Sequence, residues 1–294
     1  MRFDRDVRRK IWSWVVAALA GLCVLVVLIP LASVIYEAVQ FGFPAFSPSF
    51  LTALSPPPCS PVSGAQCQAG GVGPAIQGTL ILVGFATLIS VPVGVAAATV
   101  AVEYRSRLFG LAISFTADVL TGLPSIIAGV CIYAYFVLYD PTVVFSTLTG
   151  ALALSIIMIP IVTRTCEEAL RIVPDSLREA AMALGVPKWR ATLQIVLVTA
   201  LPGVLTGILL SVMRAAGEAA PLLFTAFGSR IFYQGLNHPV NALPLLIYNF
   251  AESPYQNWIS LAWGAALLLI VMILIVSVLS RLVIRRMVRR MRGE

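Results

Sequence analysis

Long apolar stretches recur along this chain and constrain its fold more than any other feature. A bilayer core about 30 Å thick requires about 20 consecutive apolar residues for each helix that crosses it, and several windows of the sequence reach that length. Charged residues make up only 11% of the chain, whereas soluble domains contain roughly 25%. The sequence therefore predicts an all-α, polytopic membrane protein with about six transmembrane helices. We expect these helices at 11–36, 75–102, 108–138, 147–163, 195–224 and 258–284.

Two features interrupt this pattern. The segment 37–74 is rich in Pro, Ser and Gly and has no Lys or Arg, which predicts an irregular external loop. Pro124 lies inside the third predicted span, where a proline is tolerated only if neighbouring helices or a break in the helix satisfy the carbonyl that it frees.

Positive charges lie mainly on one side of the predicted spans. They precede the first span, follow the last one, and occupy the segments after the second and the fourth. The segment after the fourth carries Arg164, Arg171, Arg178, Lys188 and Arg190. This positive-inside distribution predicts that both termini are cytoplasmic. The net charge of +7 is then explained by orientation and by contact with anionic membrane lipid, and we expect no nucleic-acid partner.

Residues suited to catalysis or metal binding are sparse. The chain has one histidine, His238, so we expect no zinc-type cluster, no metal site and no cofactor in this chain. It lacks the G-x-x-x-x-G-K-[ST] sequence of a phosphate-binding loop, so we expect it not to hydrolyse ATP. Cys59 and Cys67 share the external loop, where the compartment permits a disulfide, but the sequence leaves both the paired and the unpaired state open.

The cytoplasmic segment 174–194 carries the strongest local pattern. Ser176 and Glu179 have the spacing of a capping box, with Pro174 just ahead of it. Gly185 is suited to a left-handed helix end, and Pro187 to the first position of a second helix. The pattern predicts a short helix over about 176–184.

This predicted helix is amphipathic. One face combines positions i, i+3, i+4 and i+7, namely Leu177, Ala180, Ala181 and Leu184. Such a helix either rests on lipid headgroups or docks onto a soluble partner. The pattern alone leaves both interpretations open.

The same residues resemble a known motif. Glu179-Ala180-Ala181, then Gly185 and Ile195 at the expected distances, match the EAA motif of ABC importer permeases. In that family the motif forms a coupling helix that fits a groove of the ATPase subunit. The resemblance thus implies that Glu179, Ala180, Ala181, Leu184 and Gly185 serve ATPase coupling. The family usually ends the motif with Leu-Pro, whereas here Leu197 is followed by Val198 and the proline comes at Pro202.

Longer strings resemble the PstA-type permeases of bacterial phosphate importers. They comprise 122–129, 214–225, 243–255 and 258–267. The likeness covers roughly 72–283, and the first span and its loop match poorly. It implies a type I ABC importer permease fold over 72–283, with a membrane helix and external loop at 1–71 and a basic cytoplasmic tail at 284–294.

The resemblance also implies partners and a location. They are a PstC-like paralogous permease, two PstB-like ATPase subunits that use ATP and Mg, and a PstS-like phosphate-binding protein. The substrate would be inorganic phosphate, and the location the bacterial cytoplasmic (inner) membrane.

Charged residues within the predicted spans are candidate pathway residues. Arg214 and Glu218 share one helix face at i, i+4 spacing, together with a strip of small residues, Gly203, Gly207 and Ser211, along which another helix can pack. Asp118 lies in the third span, shortly before Pro124. A charge at this depth is costly and normally faces protein or water.

Two interpretations of the Arg214–Glu218 pair stay open. It is either a structural pair that fixes helix packing or part of the anion pathway, in which an arginine donates in parallel to two phosphate oxygens. In the second case Arg214, Glu218, Asp118 and Ser211 belong to the pathway. Because phosphate keeps a proton that sulfate lacks, Glu218 or Asp118 would also help to pass phosphate. Alternative functions are a permease for sulfate or molybdate, or a membrane scaffold for phosphate signalling.

Overall fold

A computed structural model describes residues 2–59, 70–103 and 107–292. Within these ranges the chain consists of α-helices, short 3-10 and π segments, and the connections between them. The α-helices are α1 (Arg2–Gly42), α2 (Gly73–Glu103), α3 (Arg107–Thr121), α4 (Ser125–Tyr139), α5 (Thr147–Arg171), α6 (Asp175–Ala183), α7 (Lys188–Ala191), α8 (Leu197–Ala216), α9 (Ala220–Leu223), α10 (Leu243–Ala251) and α11 (Gln256–Arg292).

The number of helices able to cross a membrane agrees with the prediction. Among the described residues, α1, α2, α5, the joined α7–α8 run and α11 are each long and apolar enough, and the bent pair α3 and α4 brings the number to 6. The predicted all-α membrane fold is therefore confirmed.

The third predicted span is not one straight helix. Helices α3 and α4 are bent by 100° relative to each other, with the break at 122–124. Proline disfavours helical geometry in the residue before it, and Pro124 itself has an extended ψ of 130°. Of the two ways in which Pro124 could be tolerated, the structure therefore shows a break in the helix.

The fourth span is longer than predicted. Helix α5 continues to Arg171 instead of ending near 163, so Arg164 and Arg171 lie on the helix and not in a loop. The polar residues after 163 are compatible with a helix, and the next strong stop is Pro174, which constrains the residue before it.

The fifth span is displaced towards the N-terminus. It begins at Lys188 with Pro187 as its N-cap, one residue away from the predicted first helical position. A π-helical turn, Thr192–Val196, joins α7 to α8. Helix α8 ends at Ala216, whereas 224 was predicted. Glu218 consequently lies in the break after the span and not inside it.

Helix α5 lies at the centre of the bundle. In the most apolar window of each span, 61% of α5 is buried within the chain, compared with 22% for α2 and 28% for the α7–α8 run. The corresponding windows of α1 and α11 are 0% buried, so these two helices expose their apolar side chains to lipid or to another subunit.

Two buried clusters surround α5 at different levels. Leu82 of α2, Met158 of α5 and Leu222 of α9 belong to one. Val162 of α5 and Val204 of α8 belong to the other, on the side towards the α6 end of the bundle.

The first described part of the predicted external loop is anchored to the helices. Phe50 is fully buried in a cluster with Leu243 of α10 and Ala265 of α11, and Trp258 donates its indole N–H to the carbonyl of Pro56 over 3.0 Å. Cys67 lies outside the described residues, so the disulfide between Cys59 and Cys67 stays a prediction.

Helices α5 and α8 approach each other very closely. A β-carbon added at Gly203 would lie 2.7 Å from the β-carbon of Ala169, and one added at Gly207 would lie 2.6 Å from that of Thr165. These distances are shorter than a carbon–carbon contact. The predicted small-residue strip therefore packs against α5, as small residues do between membrane helices.

We expect Gly207→Leu to destabilise the chain by about 1–3 kcal/mol, the usual cost of overfilling a packed interface, because α8 must move away from α5. Thermal unfolding of the detergent-solubilised protein measures this as a lower Tm. Gly84→Leu is the matched control, since a β-carbon at Gly84 meets nothing within 4 Å. An equal Tm for both variants contradicts the packing described here.

Candidate coupling and translocation sites

Helix α6 begins differently from the prediction. Its first residue is Asp175 and its N-cap is Pro174, with no side-chain cap hydrogen bond. The capping box predicted for Ser176 and Glu179 does not form. Pro174 is the N-cap and Asp175 the first helical residue. Ser176 is therefore the second residue of the helix, and its hydroxyl lies inside the first turn and not at the cap position.

The end of α6 is the one predicted. Gly185 has a φ of +79°, a left-handed conformation that glycine adopts without steric cost. Its N–H donates to the carbonyl of Met182 over 3.0 Å, and the N–H of Val186 donates to that of Ala181 over 3.2 Å. This pair of bonds is a Schellman motif, which turns the chain sharply towards α7.

Most of the α6 surface is left uncovered by the rest of the chain. Ala181 is buried, whereas Glu179 and Ala180 are exposed and Leu184 is 84% exposed. Of the predicted apolar face, only Ala181 is buried by the described part of the chain. The motif residues that remain exposed form a small surface, which we call the α6 face (Glu179, Ala180, Leu184 and Gly185).

A single arginine ties α6 to the membrane helices, and the sequence analysis did not identify it as a site residue. The Nε of Arg178 donates to Oε1 of Glu103 over 2.8 Å, and its Nη2 to the carbonyl of Leu170 over 3.0 Å. Nη1 donates to the carbonyl of Val173 over 2.6 Å and to the carboxylate of Asp175. The side chains of Arg178 and Glu103 are only 15% and 4% exposed.

The pair of Arg214 and Glu218 is present but loose. The two side chains approach to 3.4 Å between Nε and Oε1, longer than the usual charge-assisted hydrogen bond of about 2.7–2.9 Å. The side chain of Arg214 is 54% exposed and that of Glu218 is 18% exposed. Much of the guanidinium therefore remains available to another group.

Arg214 borders a cavity at the bend between α3 and α4. The cavity has a volume of about 170 Å³, and its lining includes Pro124 and Ser125 at the bend and Ile157 of α5. The non-helical backbone at the Pro124 break thus lies next to Arg214 of α8.

Asp118 belongs to a different ion pair. Its carboxylate accepts from Arg164 in a bidentate arrangement, with Nε–Oδ1 at 2.7 Å and Nη2–Oδ2 at 2.9 Å. Arg164 also contacts Glu167 at 2.8 Å, and the hydroxyl of Ser114 donates to Glu167 over 2.7 Å. Sequence reasoning missed Arg164 because the shorter fourth span placed it in a loop.

The predicted pathway residues are therefore not all brought together. Arg214 and Glu218 are paired with each other, and Asp118 is paired with Arg164 on α5. Ser211 is fully buried and donates its hydroxyl to the carbonyl of Ile208 on its own helix.

Comparison with known proteins places the chain in a family. The family model described as binding-protein-dependent transport system inner membrane component matches residues 90–293. The phosphate transport system permease protein PstA of Xylella fastidiosa is 41% identical over 246 residues, which cover 83% of each chain. That of Haemophilus influenzae is 37% identical and covers 96% of this chain and 98% of the relative.

Solved structures show the same fold. A chain of the MetNI methionine ABC transporter in an inward-facing conformation has a TM-score of 0.57 at 18% identity, covering 74% of this chain and 94% of that one. An amino acid ABC transporter has a TM-score of 0.50 at 20% identity. The fold is thus that of ABC importer permeases, whose ATPase is a separate subunit. The chain belongs to the binding-protein-dependent transport system inner membrane components, and within them to the PstA-type permeases.

Proposed function

We propose that this chain is one of the two permease subunits of an ATP-driven phosphate importer in the bacterial cytoplasmic membrane, with both termini in the cytoplasm. The relatives named as phosphate transport permeases support the substrate. The observation that carries the proposal is the half-exposed guanidinium of Arg214 near the end of a membrane-crossing helix. A half-exposed guanidinium is costly to place against lipid or in a dry protein interface, and it normally faces water or a polar partner.

Anion chemistry explains why an arginine is suited to this position. Its planar guanidinium donates to two phosphate oxygens at once and stays charged at any physiological pH. Glu218, at 3.4 Å, lowers the affinity of the site for an anion without occupying the whole guanidinium. A transport site needs this balance, because an anion held too tightly does not leave.

The remaining predicted pathway residues have different supporting roles in this proposal. Asp118 holds Arg164, so a second cation stays neutralised near the bend of α3. Ser211 is buried on the same face of α8 as Gly203 and Gly207. Glu218 or Asp118 accepts a hydrogen bond from the protonated phosphate oxygen, a donor that sulfate lacks.

Coupling to ATP hydrolysis would occur through the α6 face. In this proposal α6 docks onto one of two PstB-like ATPase subunits, which bind ATP and Mg, while a PstC-like permease forms the other half of the pathway and a PstS-like protein delivers phosphate. Closure of the ATPases brings the coupling helices together and opens the pathway outward. Leu184 is 84% exposed and lies beside the exposed Ala180 and Gly185 of the matched motif, so this end of α6 leaves an apolar surface to which another protein can bind.

We expect Arg214→Ala to lower phosphate uptake by about a hundredfold or more, the usual loss when one preorganised donor to an anion is removed. Uptake of labelled phosphate into proteoliposomes that hold the assembled complex measures this. Arg214→Lys keeps the charge without the paired donors and should retain part of the uptake. Arg281→Ala, at an exposed position of α11, is the matched control and should transport normally. Normal uptake by Arg214→Ala would contradict the pathway role.

We also expect Leu184→Asp to weaken the docking of the ATPase by about 2 kcal/mol or more, because it places a charge at the centre of an apolar contact. The amount of ATPase that co-purifies with the tagged chain measures this. Leu236→Asp, at an exposed leucine in the segment between α9 and α10, should leave co-purification unchanged. Equal amounts of ATPase in both preparations would refute the docking surface.

A further inference from the structure

The structure shows an unusual concentration of bonds at Arg178. Every nitrogen of its guanidinium donates a hydrogen bond, and the acceptors belong to three different elements. Glu103 is the last residue of α2, Leu170 and Val173 lie at the C-terminal end of α5, and Asp175 lies in the first turn of α6. One side chain of the exposed hairpin therefore contacts both membrane helices beneath it.

These acceptors depend on the cation to different degrees. The carbonyl of Val173, just beyond the end of α5, accepts from Arg178, whereas the carbonyl of Leu170 accepts both from Arg178 and from the backbone N–H of Val173. The carboxylate of Glu103 lies at the negative end of the α2 dipole, where it is disfavoured unless a cation is beside it. Because Glu103 is buried, its charge requires a compensating partner, and Arg178 provides it.

Apolar packing does not provide an alternative link. A crevice of about 400 Å³ separates parts of α6 from the end of α2 and from α7, and its lining includes Glu103, Arg178 and Met182. Ala181 is the buried residue of α6, and its methyl group provides little contact area. Apart from the short covalent connection 172–174 between α5 and α6, the guanidinium bonds are therefore the main contacts that join α6 to α2 and to the end of α5.

We infer that Arg178 and Glu103 are positioning residues that transmit the movement of α6 to α2 and α5, so that ATP hydrolysis is converted into opening of the pathway. This inference rests on the proposed function, since it requires α6 to be the element that the ATPase moves. Neither residue belongs to the α6 face. The pair acts behind that face, between the docked helix and the membrane helices.

If Arg178 and Glu103 transmit movement without contributing to docking, variants at these positions reduce coupling and leave ATPase binding intact. Two variants test this. Glu103→Gln keeps the size of the side chain and removes its charge. Arg178→Lys keeps the charge but has one terminal nitrogen for acceptors on three elements. We expect both complexes to assemble with wild-type amounts of ATPase and to hydrolyse ATP, while the phosphate imported per ATP hydrolysed falls at least about fivefold.

The measurement compares phosphate uptake with ATP hydrolysis in the same proteoliposomes. Glu168→Gln, the same substitution at an exposed carboxylate of α5, is the matched control and should keep the wild-type ratio. If the Glu103→Gln protein does not accumulate in the membrane, the ratio measured for Arg178→Lys alone tests the inference. An unchanged ratio in the assembled variants overturns the inference, and so does loss of the ATPase from both, which would make the pair part of docking.

The docking role of α6 and the transmission role of Arg178 and Glu103 would be contradicted by different results. If Leu184→Asp retains the ATPase, α6 is not the docking element and the proposed coupling site is wrong. If Leu184→Asp loses the ATPase while Glu103→Gln and Arg178→Lys stay fully coupled, the docking site stands and only the transmission role is wrong.

Discussion

The close approach of α8 to α5 is the constraint on which the candidate sites depend. Gly203 and Gly207 have no side chains, so the two helices pack against Ala169 and Thr165 at a distance that larger residues would prevent. These helices flank the hairpin that contains α6, so their contact holds the two ends of the hairpin together. The same contact fixes the direction of α8 and therefore the position of Arg214 at the bend of α3 and α4.

Among the described residues, four arginines have carboxylate partners. Arg171 is 64% exposed and pairs with Glu167 on its own helix, and the other three differ in how completely they are paired. Arg178 is 15% exposed and has four acceptors, and Arg164 is 34% exposed and is held by two carboxylates. Arg214 is 54% exposed, and its ion pair is the longest of the three. A guanidinium can accept a mobile anion only if its own partner leaves donors free. In the proposed function, this loose pairing together with the position of Arg214 beside the cavity at the bend of α3 and α4 favours it as the transport residue.

The elements that the sequence predicted correctly are those set by local chemistry. Long apolar windows predicted the spans, and Gly185 predicted the end of α6 because only a left-handed residue fits there. Local chemistry also explains the errors. Pro174 overrode the capping box, and the polar residues between 163 and 171 extended α5 although they looked like a loop. Gly217 and Pro221 could have indicated that α8 ends before Glu218.

The contacts that the sequence could not predict join distant parts of the chain. Arg178 and Glu103 are 75 positions apart, and Arg164 and Asp118 are 46 apart. No periodicity connects such residues, because their contact arises from the packing of whole helices. One signal was available for the first pair: Glu103 is a carboxylate at the end of an apolar span, where it needs a cationic partner.

The central claim is that α6 docks onto a separate ATPase. Site-specific photo-crosslinking from position 184 tests it most directly, with a benzophenone side chain in place of Leu184 in cells that produce the whole complex. The structure predicts one dominant crosslink to the ATPase subunit, because nothing in the described part of the chain covers this residue. Crosslinks only to lipid, or only within the chain itself, would contradict the claim.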